Sequence, residues 1–402
     1  MVDLQAIQQA AARLEGVVRR TPVLHSHRLS ERLGCEVYLK LENLQITGAF
    51  KLRGAVNCIA QLSAEERRRG VITASAGNHA QGVAAAAQAA GIRATIVMPE
   101  PTPVLKVEAT ASYGAEIILH GADFDQAQEE ALRLSRDRGM VFVHPFDDDR
   151  VIAGQGTIGL EILDQLPEVD CLLVPVGGGG LISGIATAVR ALRPEVTLIG
   201  VQAENAPALY LSCQVEELTR AEVVGTLAEG IAVGQPCART FAIIRRHVER
   251  IVTVGERAIA RAILELLEHH KLVAEGAGAT PVAALETLGE AWRGRTLCLV
   301  ISGGNVDVTT LSKVIDRGLV EAGRLVKLQV TLPDRPGALA GLAAAIAQAG
   351  ANIVEVHHDR MKVSLELGQA EVAVVLGTRG PEHIAATITH LHQQGYDVTR
   401  LA

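Results

Sequence analysis

Hydrophobic and polar positions follow two alternating patterns along the first three hundred residues of the chain. Short apolar runs are each followed by a longer stretch whose apolar positions recur every three or four residues. This alternation is typical of an α/β protein with a mainly parallel sheet, in which each strand is followed by a crossover helix. The two clearest units are strand 71–74, helix 79–90 and strand 94–98, and strand 171–176, helix 181–192 and strand 197–201.

The C-terminal part of the chain follows a different order. A helix near 311–320 and a short polar stretch at 321–325 come first. The pattern then predicts strand 325–332, a turn at 333–337, helix 338–349, strands 352–357 and 371–376, helix 381–394 and strand 396–401. The order βαββαβ is that of a ferredoxin-like fold. We therefore expect a large domain at 1–320, a linker at 321–325 and a small domain at 326–402.

Composition excludes several classes of protein. The chain has 402 residues, of which 48% are hydrophobic and 21% charged, which is typical of two or three globular domains. Aromatic residues make up only 2% and the net charge is -7, so a nucleic-acid partner is not expected. The sequence has no run of eighteen apolar residues and no signal-peptide pattern, so we expect a cytoplasmic protein without a membrane partner. Six scattered cysteines favour reduced thiols.

Four short segments carry the candidate chemistry, and Lys51 lies in the first of them. An amine is the side chain that can hold an aldehyde cofactor reversibly, and the Gly, Ala and Phe neighbours of Lys51 would exclude water and lower its pKa. A run of four glycines before a helix allows the backbone to approach a phosphate closely. The segments are Ile-Thr-Gly-Ala-Phe-Lys-Leu-Arg-Gly at 46–54, Ser-Ala-Gly-Asn-His at 75–79, four glycines at 177–180 and Ser-Gly-Gly-Asn at 302–305.

In this order and spacing, the four segments resemble those of the pyridoxal-phosphate enzymes of the tryptophan-synthase-β-like fold (fold type II), and within them the threonine dehydratases, or threonine ammonia-lyases. The resemblance extends over nearly the whole chain, because Asp-Arg-Pro-Gly-Ala-Leu at 334–339 resembles the signature of a regulatory ACT domain. It implies pyridoxal 5'-phosphate as the cofactor. It also implies two open-sheet subdomains in the catalytic part, with a smaller one at about 52–150 inserted into a larger one.

The resemblance assigns roles to individual residues. Lys51 would hold the cofactor and move the proton at the substrate Cα, and Ser302 would face the pyridine nitrogen. Asn78 would bind the ring hydroxyl. Phe50 would pack against the ring, although plain core packing is an equal alternative. The cofactor phosphate would be bound by Gly177, Gly178, Gly179, Gly180 and Leu181, and the substrate carboxylate by Ser75, Ala76, Gly77, Asn78 and His79. For the side chain of His79, a structural role beneath the loop is expected in preference to a role as an acid or base.

The expected reaction converts L-threonine to 2-oxobutanoate and ammonia, and L-serine to pyruvate. Racemases of the same family carry a second serine where this chain has Ala76, and acidic metal ligands where it has Gln202 and Ala208. Racemisation and a divalent metal are therefore disfavoured. Two alternatives stay open: another dehydratase acting on serine or 3-hydroxyaspartate, and an amino-acid sensor without catalysis.

The ACT-like segment suggests control by an amino acid. Its loop and the following strand entry would bind the effector through Gly337, Ala338, Leu339, Asn352 and Ile353. Isoleucine or valine is the expected effector. Such modules often act in pairs, so a homodimer or homotetramer is implied. A purely structural dimerisation domain is the alternative.

Overall fold

A computed structural model describes residues 2–360 and 366–401 of the chain. By their internal contacts, the residues form two compact units, Met1–Val306 and Asp307–Ala402. The helix Val308–Glu321 belongs to the second unit by this criterion, whereas the sequence pattern placed it at the end of the first. The break between the units therefore precedes this helix.

A six-stranded sheet forms the larger part of the first unit. Its spatial order is β1-β2-β10-β7-β8-β9, and all neighbours are parallel except β1 and β2. Strand β10 therefore lies between strands that precede it in the chain. The strands are β1 (Val23–His25), β2 (Glu36–Leu41), β7 (Cys171–Pro175), β8 (Thr197–Ala203), β9 (Arg250–Val254) and β10 (Thr296–Ile301).

A second, smaller sheet is formed by the chain between β2 and β7. Its order is β5-β4-β3-β6, and all its pairs are parallel. The segment that forms it is thus inserted between two strands of the larger sheet. The strands are β3 (Val71–Ala74), β4 (Ala94–Met98), β5 (Glu116–Leu119) and β6 (Val141–Phe142).

Helices cover both sheets, as expected for strands whose side chains are buried on both faces. Strands β3, β4 and β7 are buried along their whole length. The helices of this unit are α1 (Leu4–Leu14), α2 (His27–Leu33), α3 (Lys51–Ala60), α4 (Ala64–Arg69), α5 (Asn78–Ala89), α6 (Val104–Ala111), α7 (Phe124–Arg138), α8 (Asp149–Gln165), α9 (Gly180–Leu192), α10 (Ala208–Val215), α11 (Ala238–His247), α12 (Glu256–His270) and α13 (Gly276–Ala283).

The second unit has the order βαββαβ after helix α14 (Val308–Glu321). Its antiparallel sheet has the order β12-β13-β11-β14. Alternate residues of β11 and β13 are buried beneath the helices, which gives this unit its own core. The elements are β11 (Leu325–Pro333), α15 (Ala338–Gln348), β12 (Asn352–Asp359), β13 (Gln369–Gly377), α16 (Pro381–Gln393) and β14 (Asp397–Arg400).

Both parts of the predicted fold class are confirmed: open α/β sheets in the larger unit and a ferredoxin-like layout in the smaller one. Element boundaries agree with the sequence pattern to within about two residues. Among the described residues, none of the helices has the length and apolar character needed to span a bilayer.

Candidate active site

Lys51 is the first residue of α3, and its amine is turned towards the loop that precedes α8. Its Nζ donates a hydrogen bond to the Pro145 carbonyl oxygen at 2.9 Å and lies 5.2 Å from the centre of the Phe50 ring. Burial lowers the pKa of Lys51 to about 8, although the negative charge of Glu275 opposes this shift. A lysine in this state has an appreciable neutral fraction near pH 7, so it can act as a nucleophile and a base.

The segment before Lys51 pairs with the segment that follows β10. The Phe50 amide donates to the Ser302 carbonyl oxygen at 3.0 Å, and Ala49 forms an antiparallel bridge with Gly303. Ser302 is 2% exposed. This pairing brings Lys51, Phe50 and Ser302 together. Phe50 also packs against the core of the six-stranded sheet, so the structure gives it the core contacts of the alternative as well.

Asn78 is the first residue of α5 and lies at the centre of a chain of polar side chains. Its Nδ2 donates to both carboxylate oxygens of Glu275, at 2.8 and 3.0 Å. Its Oδ1 accepts from Asn305 Nδ2 at 2.8 Å, and the same nitrogen donates to the Thr47 carbonyl oxygen at 2.7 Å. All the segments named from the sequence except the glycine run meet in these contacts.

The loop between β3 and α5 carries the residues expected to bind a carboxylate. The Ser75 amide donates to the Val97 carbonyl oxygen at 3.1 Å, and the Gly77 amide donates to Ser75 Oγ at 3.2 Å. Gly77 is the N-cap residue of α5, and it and Ala76 are partly exposed. A helix N-terminus with partly exposed polar groups is a favourable place for an anion.

His79 is 3% exposed and lies beneath this loop. Its Nε2 lies 2.9 Å from the Val143 carbonyl oxygen, and within the described part of the chain its Nδ1 has no hydrogen-bond partner. Burial, followed by the charge of Lys51, lowers its pKa to about 3. The ring is therefore neutral at pH 7, which favours the structural role over that of a charged carboxylate ligand.

The glycine run joins β7 to α9, and its last two residues start the helix. Gly179 has a φ of +87°, which glycine adopts without strain, and α9 begins at Gly180. A Cβ atom on Gly178 would overlap the Phe146 ring, and one on Gly177 would lie 2.9 Å from Ile231 Cα. Leu181 is buried in the core of the larger sheet, so only its backbone can face a phosphate.

The loop before α8 is held in place by its own polar contacts. His144 Nδ1 accepts from the Asp147 amide at 2.8 Å, and burial lowers the His144 pKa to about 4. Arg239 forms ion pairs with Asp147 at 3.0 Å and with Asp149 at 2.9 Å. These contacts fix the loop that accepts the Lys51 hydrogen bond and places Phe146 against the glycine run.

Sequence reasoning missed Glu275, which immediately precedes α13. Burial raises its pKa to about 7, and the hydrogen bond from Asn78 opposes the shift. The sequence around it, Ala-Glu-Gly-Ala-Gly at 274–278, carries no local signal beyond small residues. Asn305 lies inside the predicted segment 302–305, but the sequence offers no reason to assign a role to its side chain or to that of Phe146.

A separate cavity of about 410 Å³ lies in the second unit at the loop between β11 and α15, and Gly337, Ala338 and Leu339 line it. Asn352 and Ile353 do not line this cavity. Asn352 and Leu325 both pair with Gly377, so Asn352 lies at the end of the sheet opposite to Pro333 and the loop that follows it. Within one chain, the residues expected to bind the effector therefore form two groups rather than one.

The fold and the first site define a class: an enzyme with two mainly parallel sheets, a lysine of lowered pKa and a glycine run at a helix start. The family model of the pyridoxal-phosphate dependent enzymes matches residues 14–303, and that of the ACT domain matches residues 326–391. The chain therefore belongs to the pyridoxal-phosphate dependent enzymes and carries a C-terminal ACT domain.

Comparison with individual proteins shows which members of this family the chain is similar to. The chain is 53% identical over 397 residues to the L-threonine ammonia-lyase of Geobacter sulfurreducens, covering 98% of each protein. It superposes on the processed form of threonine deaminase isoform 2 from Solanum lycopersicum with a TM-score of 0.75 and 39% identity, covering 78% of this chain and 87% of that one. Superposition on maize serine racemase gives a TM-score of 0.75 and 35% identity, covering 80% of this chain and 98% of that one. The chain belongs to the family that contains these enzymes.

The residues present fit pyridoxal phosphate. Lys51 offers an amine of lowered pKa for the aldehyde. The glycine run lies at the start of a buried helix, where a phosphate is favoured, and neighbouring residues such as Phe146 and Ile231 leave no room for Cβ atoms there. Ser302 and Asn78 offer neutral polar groups near that lysine, suited to a ring nitrogen and a ring hydroxyl.

Proposed function

We propose that the protein is a threonine ammonia-lyase, which converts L-threonine to 2-oxobutanoate and ammonia and also converts L-serine to pyruvate. The observation that carries this proposal is the Lys51 amine, whose pKa burial lowers to about 8, beside a helix start that suits a carboxylate. The similarity to L-threonine ammonia-lyases over the full chain supports the choice of substrate.

Each residue has a proposed task. When bound, pyridoxal phosphate supplies an aldehyde that captures the substrate amine and a ring that withdraws electrons from Cα. Lys51 takes the Cα proton, after which the β-hydroxyl leaves as water. The released aminocrotonate is then hydrolysed to 2-oxobutanoate and ammonia. This step consumes one water, which equals the one lost in the elimination. Ser75, Ala76, Gly77, Asn78 and His79 form the loop that we propose for the substrate carboxylate, with His79 supporting it from beneath.

The contacts to the cofactor are also assigned to particular residues. We propose that backbone amides at the start of α9 bind the phosphate, that Ser302 faces the ring nitrogen, and that Phe50 packs beside the ring. A hydroxyl partner leaves the ring nitrogen closer to neutral than a carboxylate would. The residues that we propose to bind the phosphate are Gly177, Gly178, Gly179, Gly180 and Leu181.

Serine racemisation is a second candidate because a serine racemase is among the structural neighbours. A racemase must return a proton to the opposite face of Cα. Ala76, at the position where the racemases carry a second serine, has no proton to give. The elimination is therefore the better proposal. A dehydratase that prefers serine or 3-hydroxyaspartate is the nearer alternative.

Regulation, assembly and location complete the proposal. We propose that the ACT domain binds an amino acid, isoleucine or valine, and that the enzyme is a homodimer or homotetramer. Two copies would allow Gly337 of one subunit and Asn352 of another to share a site, since they lie at opposite ends of the sheet within one chain. All six cysteines are free thiols, in keeping with a reducing cytoplasm.

The deciding experiment measures 2-oxo acid release by the cofactor-loaded enzyme from L-threonine, L-serine and DL-3-hydroxyaspartate at equal concentration. D-serine formation from L-serine is followed in parallel. We expect 2-oxobutanoate from threonine to dominate. Turnover of another substrate with threonine inert would reject the threonine assignment, and D-serine as the main product would favour the racemase.

A further inference from the structure

We propose that Glu275 is a positioning residue for the reaction: its carboxylate helps to hold the carboxamide of Asn78 and polarises the N–H group that Asn78 offers to the cofactor ring. The proposal rests on the function proposed above, because it takes Asn78 as the partner of the ring hydroxyl. It assigns a task to an acidic side chain that contacts the sequence-predicted site residue Asn78 through hydrogen bonds.

The carboxylate of Glu275 is not used to cap its own helix. Glu275 occupies the N-cap position of α13, where an acidic side chain commonly accepts from the first turn, yet it makes no such hydrogen bond. Both of its oxygens instead lie within 3.0 Å of Asn78 Nδ2. The side chain therefore serves the adjacent site rather than the start of its own helix.

The surroundings of Glu275 are shaped to admit this carboxylate. Its backbone amide donates to the Gly303 carbonyl oxygen at 3.1 Å, directly after Ser302. A Cβ atom on Gly303 would lie 2.5 Å from Glu275 Oε1, and one on Gly230 would lie 3.3 Å from the same oxygen. Larger residues at these two positions would push the carboxylate away from Asn78.

The hydrogen bonds determine which way the Asn78 amide points. Asn305 donates to Asn78 Oδ1, so that oxygen faces Asn305 and the nitrogen must face Glu275. The amide nitrogen carries two protons. A carboxylate that shares one of them leaves the other for a ring hydroxyl. Without Glu275 the amide nitrogen loses its charged acceptor, and the hydrogen bond from Asn305 alone holds the carboxamide in place.

The charge of Glu275 adds a second effect. Burial raises its pKa to about 7, while the charged groups that act on it are Lys106 on α6, Glu229 in the loop before α11 and Lys51 on α3. The carboxylate is ionised above pH 7 and gains a proton below it. His79 and His144, with pKa values lowered to about 3 and about 4, stay neutral through that range. Lys51, whose pKa is about 8, also titrates in this range, so the change that belongs to Glu275 is the one near pH 7 that Glu275→Gln abolishes.

The test uses the purified holoenzyme and compares the wild type with Glu275→Gln. The first measurement is the visible absorption spectrum of the bound cofactor from pH 5.5 to 9, without substrate. The second is steady-state kinetics, which shows separately how kcat and KM change. We expect the wild-type spectrum to change with a midpoint near pH 7 and the variant to lose that change. We also expect kcat to fall about ten- to hundredfold, since a hydrogen bond to a charged group is lost, with KM altered less than about threefold.

Glu229→Gln is the matched control. Glu229 is largely exposed and pairs with Lys106, so its substitution removes a nearby negative charge without touching Asn78. We expect this variant to keep the spectral change, with its midpoint slightly lower. If Glu275→Gln binds cofactor and retains both the wild-type spectral change and the wild-type kcat, the proposal is overturned.

If Glu275→Gln does not fold, the variant Asn305→Ala is used to test the proposal instead. This substitution removes the donor to Asn78 Oδ1 from an exposed position and loosens the carboxamide that Glu275 contacts, so we expect the spectral change near pH 7 to become smaller without disappearing. A wild-type spectrum and wild-type kinetic constants in this variant would then reject the proposal. The spectrum is recorded without substrate, so an enzyme that fails to use threonine would reject the proposed function and leave the role of Glu275 open to the same test.

Discussion

Arg53 and Glu42 form a two-point ion pair that solvent does not reach. The Arg53 Nε and Nη2 atoms each donate to one carboxylate oxygen of Glu42 at 2.8 Å, and the side chains are 1% and 0% exposed. Arg53 also donates to Glu161 on α8, which in turn pairs with the buried Lys40. Because Arg53 lies two residues after Lys51, this network ties the start of α3 to α8.

We expect Glu42→Gln to destabilise the first unit strongly. Removing Glu42 leaves the buried Arg53 with Glu161 as its remaining counter-charge, and breaking a buried pair of this kind costs up to about 3–5 kcal/mol. Unfolding in urea can be followed by the fluorescence of the single tryptophan, Trp292, which lies in this unit. Arg133→Gln, which breaks an exposed ion pair with Glu130, should cost at most about 1 kcal/mol. Equal losses in the two variants would contradict the role of the buried pair.

His79 should make the fold sensitive to acid. Its pKa is about 3 in the folded state and 6.5 for an ordinary histidine, so the unfolded chain binds a proton more readily. Its contribution to stability is complete above pH 6.5 and is lost as the pH falls towards 3, at about 1.4 kcal/mol per pH unit. We expect His79→Gln, whose amide can still donate to Val143, to have a shallower loss of unfolding free energy below pH 6.5. An unchanged slope would refute this, and exposed His120→Gln is the control.

Lys51→Ala should lower kcat/KM for L-threonine by at least about a thousandfold, because it removes the amine that we propose to hold the cofactor and move the Cα proton. Circular dichroism and tryptophan fluorescence check that the variant is folded. Lys313→Ala, an exposed lysine in the second unit, should retain wild-type turnover. Threonine turnover at the wild-type rate in Lys51→Ala would remove the central residue of the proposed function.

Gly178→Ala should weaken cofactor binding by about ten- to hundredfold. The new methyl group would overlap the Phe146 ring, and overpacking of this kind costs about 1–3 kcal/mol. The dissociation constant can be measured by titrating the apoenzyme with pyridoxal phosphate. A double variant with Phe146→Ala should recover part of the affinity if the clash is the cause. Gly225→Ala, which meets no neighbour, is the control.

Gly337→Ala should weaken the response to an amino-acid effector. Gly337 has a φ of +91° at the start of α15, where an alanine is strained by about 1–2 kcal/mol and would displace the loop lining the cavity. The concentration of isoleucine or valine for half response should rise about fivefold or more, measured relative to each variant's activity without effector. Gly380→Ala, at the start of α16, strains a loop that does not line this cavity and should leave the response unchanged. An identical response in the two variants would argue against this site.

Much of the fold could be predicted because its signals are local. Apolar runs marked the buried strands, and glycines marked the turn before α9. The part of the site that contains Lys51 and Ser302 lies in segments of distinctive composition, so it too could be named from the sequence. Glu275 could not, because its contact is with Asn78, 197 positions away, and a carboxylate before small residues is locally unremarkable. The division of the effector residues into two groups likewise depends on strand register, which the sequence pattern does not fix.

The central place of β10 in the larger sheet has a consequence for synthesis on the ribosome. Strands β2 and β7 are translated first, and each keeps an open edge until residues 296–301 emerge and fill the space between them. Lys51 is thus made early but acquires its neighbour Ser302 only when nearly the whole unit has been translated. The proposed cofactor site is therefore complete only when the unit is nearly finished, and prematurely terminated chains would expose two apolar edges suited to aggregation.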